Sequence, residues 1–201
     1  MKKFLISILL CVCCVSVAKA QDGEQGSTAD GYSVSFYFPT NRTDNMNWSY
    51  NMGFEMNRGS YIADNVFIIS GLGYLMSSQS IDIGNYNSLS TTSDNLCLPI
   101  NIGSRLPLGG NDFPLLSVYT GPYLTYAIAG YVEKDVPGSS NPTKTRFSEM
   151  DDVQRFYAYW RFGATLNITG DFGIDFQYMT LISEHTGNSG GIIGIGIGLR
   201  Y

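Results

Sequence analysis

Residues 48–57 separate by parity into two unlike sets. Trp48, Tyr50, Met52, Phe54 and Met56 are large and apolar, whereas Ser49, Asn51, Gly53, Glu55 and Asn57 are polar or small. Side chains of an extended strand point alternately to its two faces, so this segment predicts a strand with one wholly apolar face. The split recurs along the chain. Residues 32–38 set Val34, Phe36 and Phe38 against Ser33, Ser35 and Tyr37, and residues 96–105 set Leu96, Leu98, Ile100 and Ile102 against Cys97, Asn101, Gly103 and Arg105. Residues 155–168 set Phe156, Trp160, Phe162, Leu166 and Ile168 against Arg155, Tyr157, Tyr159, Arg161, Gly163 and Asn167. Residues 172–178 follow with Phe172, Ile174, Phe176 and Tyr178 against Gly173, Asp175 and Gln177. The last strand puts Ile193, Ile195, Ile197, Leu199 and Tyr201 opposite Gly194, Gly196, Gly198 and Arg200.

Two further segments are less regular. In 65–80, Phe67 and Ile69 interrupt the polar face and leave the strand's orientation open. In 115–132, Pro122 lacks the donor that a ladder requires and predicts a bulge or distorted pairing. Long polar connections (PTNRTDNMN, GNYNSLSTTSD, KDVPGSSNPTKTRFSEMD, EHTGNSGG) alternate with shorter ones (RGSYIAD, PLGGNDFP, TGD). The pattern predicts an all-β, eight-stranded antiparallel up-and-down barrel over 31–201, and a 3.6-residue apolar stripe is nowhere sustained.

Alternation does not say which face meets water, because a soluble ligand-binding barrel turns its apolar face inward. Three features favour lipid outside and a transmembrane barrel. The apolar face carries no charge on the six regular strands, as a hydrocarbon-facing surface requires, since Arg or Lys at the midplane of a barrel costs about 2–4 kcal/mol. The opposite face mixes glycine, tyrosine and opposable charges, with Glu55 and Asp175 facing Arg105, Arg155, Arg161 and Arg200, which suits a narrow lumen filled by side chains. The chain ends within a strand at Tyr201, and such a terminal aromatic strand resembles the signal read by the outer-membrane barrel assembly machinery.

The first twenty residues predict a cleaved export signal. Lys2 and Lys3 precede the uncharged apolar run Phe4–Val17, and Ala18 and Ala20 supply the small residues a signal peptidase reads. A retained anchor is disfavoured because that run is shorter than the roughly 20 residues a helix needs to cross a bilayer. Lipoprotein processing at Cys11, Cys13 or Cys14 lacks a small-residue box before the cysteine. Residues 21–30 (QDGEQGSTAD) read as a flexible leader. Loss of Lys2, Lys3 and Lys19 takes the formal charge from −5 to −8, the wrong sign for nucleic acid. With 13% aromatic and 14% charged residues the chain is also unlike a disordered one. Cys97 is left alone after cleavage, and its place in an apolar strand predicts a shielded thiol.

The run NLCLPINIGSRLP, then YTGPYL, then RFGATLNITGDFGIDFQY and the closing IIGIGIGLRY resemble, in order and spacing, the PorT-like outer-membrane β-barrel family common in Bacteroidetes. The resemblance spans nearly all of the mature chain. It implies an eight-stranded porin-like barrel in a Gram-negative outer membrane and names no ligand; the secretion role of PorT itself attaches to no residue here.

Candidate chemistry is sparse. Glu55, Arg105, Arg155, Arg161, Asp175 and Arg200 predict a structural polar network that plugs the lumen, with an ion path as the rival, because charges in so narrow a space must be paired. Ser183 and His185 share a strand face beside Glu184 and form a weak acyl-transfer candidate, as in lipid-modifying barrels, against a simpler polar rim. The segment 134–151, with Lys134, Asp135, Lys144, Arg146, Glu149 and Asp151 among Pro137, Gly138 and Pro142, is either a contact surface for an extracellular or envelope protein or a solvated loop. GLG at 71–73 and GIGIG at 194–198 lie in strands and fail the structural condition for nucleotide binding. The Asn-x-Ser/Thr triplets at Asn41, Asn47 and Asn167 read as incidental. No cofactor or metal is expected. The expected function is that of an outer-membrane protein with a structural or interaction role, not an enzyme, and by the usual pattern both termini face the periplasm.

Overall fold

The computed structural model describes residues 31–39, 46–63, 65–82, 88–107, 115–135, 142–151, 153–169, 172–182 and 191–200. They form strands β1 (Gly31–Pro39), β2 (Met46–Ala63), β3 (Val66–Asp82), β4 (Ser88–Pro107), β5 (Leu115–Asp135), β6 (Thr143–Arg146), β7 (Phe156–Asn167), β8 (Phe172–Leu181) and β9 (Gly191–Arg200). A short 3-10 turn, Phe147–Glu149, follows β6.

Eight strands form a closed ring. The order runs β4, β3, β2, β1, β9, β8, β7, β5, and β4 pairs with β5 to close it; every pairing is antiparallel. Strand β6 stands outside the ring and prolongs the edge of β5 above β7, with Tyr131 opposite Arg146 and Glu133 opposite Lys144. The register fixes the geometry. From Ser33 the ladder passes Glu55, Gly73, Cys97 and Thr125 to reach β7 at Tyr157, while the opposite route through Gly198 and Gly173 reaches β7 at Asn167, a stagger of ten residues. Ten rises of about 3.3 Å against eight strand spacings of about 4.8 Å give a tilt of about 40°, within the range of small closed barrels.

The two faces sort as the alternation predicts. Phe36, Phe54, Met56, Leu72, Leu96, Phe162, Phe176 and Ile197 are all exposed on the outside, whereas the buried set consists of inward positions such as Ser35, Tyr37, Glu55, Cys97, Tyr123, Arg161, Asp175 and Gln177. The orientation of 65–80 is now fixed. Phe67 is buried inside and Ile68, Leu72 and Tyr74 face out. Phe67 occupies the space that a glycine opposite it vacates, since a Cβ on Gly103 would lie 2.5 Å from its ring. At Pro122 the ladder to β4 is interrupted between Ile102↔Thr120 and Pro99↔Tyr123 with no change of register; the bulge instead falls between Asn95↔Ala127 and Asp94↔Ala129.

Strand lengths differ from the sequence reading. Strands β2 to β5 have 18, 17, 20 and 21 residues, against 9, 12, 10 and 10 for β1, β7, β8 and β9. Ser88–Asp94 and Arg58–Ala63, read as connections, are paired strand. A tilted strand crosses a bilayer in about 9–11 residues, so the four long strands carry an extension beyond it. There β3 and β4 become polar on both faces. Ser78 Oγ lies 3.0 Å from Thr92 Oγ1, and Ser90 donates to Ser80 at 3.1 Å, a ladder of hydroxyls where the lower part of the same strands is apolar.

Candidate functional site

The interior is built around one ion pair. Arg161 on β7 and Glu55 on β2 stand four strands apart in the ring, on opposite walls, and Arg161 Nη1 donates to Glu55 Oε1 and Oε2 at 2.8 and 2.9 Å. Their side chains are 2% and 3% exposed. Two charges so enclosed are stable only when their remaining hydrogen-bonding capacity is met. Asn101 Oδ1 accepts from Arg161 Nε at 3.3 Å and Gln177 Oε1 accepts from Nη1 at 3.2 Å. Tyr37 and Asn57 donate to the Glu55 carboxylate, each at 3.3 Å. The guanidinium also lies 4.8 Å from the ring centre of Tyr123 and 5.4 Å from that of Tyr119.

Toward the upper end, where β1 stops at Pro39, a buried apolar layer covers the pair. It comprises Tyr37, Leu75, Cys97, Tyr123 and Met179, with Tyr159 and Ile192 packed against it. The Cys97 thiol is fully buried and donates to Asn95 O at 3.8 Å. Tyr37 fits only because glycines flank it: a Cβ on Gly53 or Gly194 would lie 2.8 or 2.6 Å from its ring. Higher still, Phe147 packs on Gly130, and its carbonyl accepts from Arg155 Nη2 at 2.7 Å.

Toward the lower end, where β1 begins and β9 finishes, polar side chains line the wall together with Phe67 and Ile69. Asp175 is 5% exposed and held by neutral donors: Tyr119 Oη at 2.8 and 2.9 Å, Thr165 Oγ1 at 2.8 Å, and Gln177 Nε2. Gln177 thus links both carboxylates to one network. Between this network and the lower end lies a partly open cavity of about 80 Å³, bordered by Ser33, Asn57, Asn101, Ser117, Asp175 and the exposed Leu199, among others.

Of the six charged residues expected to meet in the lumen, the structure joins Glu55 to Arg161 and brings Asp175 into the same network without an arginine contact. Arg105 lies at the lower end, its guanidinium 4.6 Å from the ring centre of Tyr61. Arg155 lies at the upper end, just before β7 and six residues from Arg161, about 20 Å away at the rise of an extended chain. Parity assigns a residue to a face but not to a depth. Arg200 pairs with Gly31 in the ladder, and its side chain lies outside the described residues. So do Ala18, Ala20, Pro137, Gly138, Ser183, Glu184, His185 and Tyr201. Within 134–151, Lys134 and Asp135 end β5 and residues 143–149 form β6 and its turn, where Lys144 Nζ sits 3.3 Å from the ring centre of Tyr131. Asn167 is 1% exposed and donates to Ser117 at 3.1 Å, so that triplet is lumen wall. The residues that complete the network, Tyr37, Asn101, Tyr119 and Gln177, were not singled out by sequence; being neutral, they drew attention only as members of the polar face.

No curated protein sequence matches the chain. Among solved structures it is similar to the N-terminal β-barrel domain of OprF from Pseudomonas aeruginosa, with 11% identity and a TM-score of 0.40, covering 88% of this chain and 100% of that one. It is similar to Ail, the attachment invasion locus protein of Yersinia pestis, solved with the heparin analogue sucrose octasulfate, with 15% identity and a TM-score of 0.41, covering 89% and 100%. It is also similar to Neisserial surface protein A, with 11% identity and a TM-score of 0.39, covering 89% and 100%. The sequence profile of the outer membrane protein beta-barrel domain matches residues 7–201, so the chain belongs to that family and its closed ring of strands is an outer-membrane barrel.

Proposed function

We propose that this barrel closes its lumen with side chains and serves the cell envelope as a structural and interaction protein, meeting partners through its upper collar and loops and not through a pore. The observation that carries the reading is the Arg161–Glu55 pair, which spans the bore almost without exposure beneath the Tyr37–Leu75–Cys97–Tyr123–Met179 layer. Eight strands leave an interior that side chains just fill, so a pair across the diameter leaves no path beside it. In planar bilayers the unmodified protein is expected to give no steady conductance, and replacing Glu55 and Asp175 by alanine is expected to raise it. A steady large conductance from the unmodified protein removes this reading and favours the second one, a small channel, for which the cavity of about 80 Å³ is the supporting feature.

The proposal extends to the parts that geometry does not reach. The chain is a PorT-like member of its family, is exported by cleavage after Ala20, is inserted by the barrel assembly machinery through its Tyr201 terminus, and holds both termini in the periplasm. Deleting 136–141 from the upper loop weakens binding to an extracellular or envelope partner while leaving the barrel folded. A lipid-modifying activity through Ser183 and His185 is the enzymatic alternative; an unchanged lipid A mass spectrum after His185→Ala ends it.

A further inference from the structure

We infer that the lumen is a blind vestibule: water and small neutral or cationic solutes enter from the lower end as far as Arg161–Glu55, and no solute passes to the layer above. The inference rests on the plug reading and adds what occupies the space beneath it. Three observations converge. The first is the asymmetry of the filling. Above the ion pair, Tyr37, Cys97, Tyr123 and Met179 are each no more than 1% exposed and pack together as a closed layer. Below it lies the partly open cavity of about 80 Å³, whose border reaches Gly198 on β9 and its ladder partner Ser33 near the start of β1. A water needs roughly 10–15 Å³ of such space and two to four polar partners, so this volume holds several waters or one small solute.

The second is the chemistry of the border. Beside the apolar Phe67 and Ile69, Ser33, Asn57, Asn101, Ser117, Tyr119 and Thr165 present hydroxyls and amides, and the buried Asn57 Oδ1 has no hydrogen-bond partner among the described residues. A buried acceptor left dry is costly, which water in the cavity relieves. The third is the balance of charge. Two carboxylates, Glu55 and Asp175, and one guanidinium, Arg161, border the space, and Arg161–Glu55 is the ion pair found among the described residues. Asp175 is held by dipoles alone. The border therefore carries one net negative charge, which repels anions and draws cations into a narrow low-dielectric cleft.

Cys97 provides a native reporter on the far side of the plug, in the same row of the ladder as Ser33 and Glu55. The purified protein in detergent is treated with two methanethiosulfonate reagents, one cationic and one anionic, and labelling is followed by mass. The unmodified protein stays unlabelled at Cys97 with both. In a Cys97→Ser background, Ser33→Cys is labelled, and the cationic reagent reacts about tenfold faster or more than the anionic one. Thr165→Cys serves as the second position should Ser33→Cys fail to fold. Labelling of native Cys97 overturns the plug itself. An unlabelled Cys97 with silence at both introduced cysteines overturns the vestibule and leaves the plug standing. Labelling at equal rates with both reagents overturns the cation preference.

Discussion

The outer and inner faces of this barrel obey the same alternation and different rules. Outside, Phe36, Phe54, Phe162, Phe176 and Ile197 project into a medium that asks only for apolarity, and their exact identities are interchangeable. Inside, each side chain answers another: Arg161 reaches Glu55 across the bore, Tyr119 holds Asp175, and Tyr37 lies between Gly53 and Gly194. The contrast teaches that the outer face sets where the chain resides and the inner face decides how rigidly it is closed.

Substitutions sharpen the contrast in order of size. Arg161→Ala leaves the Glu55 charge enclosed and unpaired and is expected to cost about 3–5 kcal/mol, read as a lower urea midpoint for loss of the heat-modifiable gel band. The double variant Arg161→Met with Glu55→Met recovers most of that loss, since removing both charges leaves neither stranded; a double variant as weak as the single one means the loss came from packing. Phe54→Arg places a cation on the outer face and is expected to cost about 2–4 kcal/mol in vesicle refolding, whereas Phe54→Leu changes stability by about 0.5 kcal/mol. Gly163→Ala brings a Cβ to 2.1 Å from the Tyr119 ring and is expected to cost about 1–3 kcal/mol, detected as a lower melting temperature. Trp160→Phe, which forfeits the 2.8 Å bond from Nε1 to Thr120 Oγ1, is expected to cost about 0.5–1.5 kcal/mol by the same measure. Were Gly163→Ala and Phe54→Leu to prove equal, the distinction between a specified interior and a permissive exterior would fall.

The outer face was legible in the sequence because alternation between lipid and lumen repeats with period two, and six strands show it without interruption. Where contact with lipid ceases, the signal ceases as well: Ser88–Asp94 pairs as strand while reading as loop, because a ladder in water does not require apolar side chains. The lumen was legible as a set and not as an arrangement. Parity put Glu55, Arg161 and Asp175 on one face, but depth depends on tilt and stagger, which emerge only when the ring closes. Hence Arg105 and Arg155 fell to opposite ends, and Asp175 found Tyr119 and Thr165 in place of an arginine. The glycines opposite Phe67 and Tyr119 carried a clue of absence, each marking where a ring lies flat across the neighbouring strand.

The pairing of β1 with β9 is the one contact in the ring that joins its first and last described strands. Every other seam links strands that follow one another, save that β6 intervenes between β5 and β7, so the wall can zip up as it is laid down, yet two bare edges persist until Gly191–Arg200 arrives. A molecule cut short of that final strand is an open, greasy ribbon with two sticky margins, and its fate is clumping or proteolysis in transit.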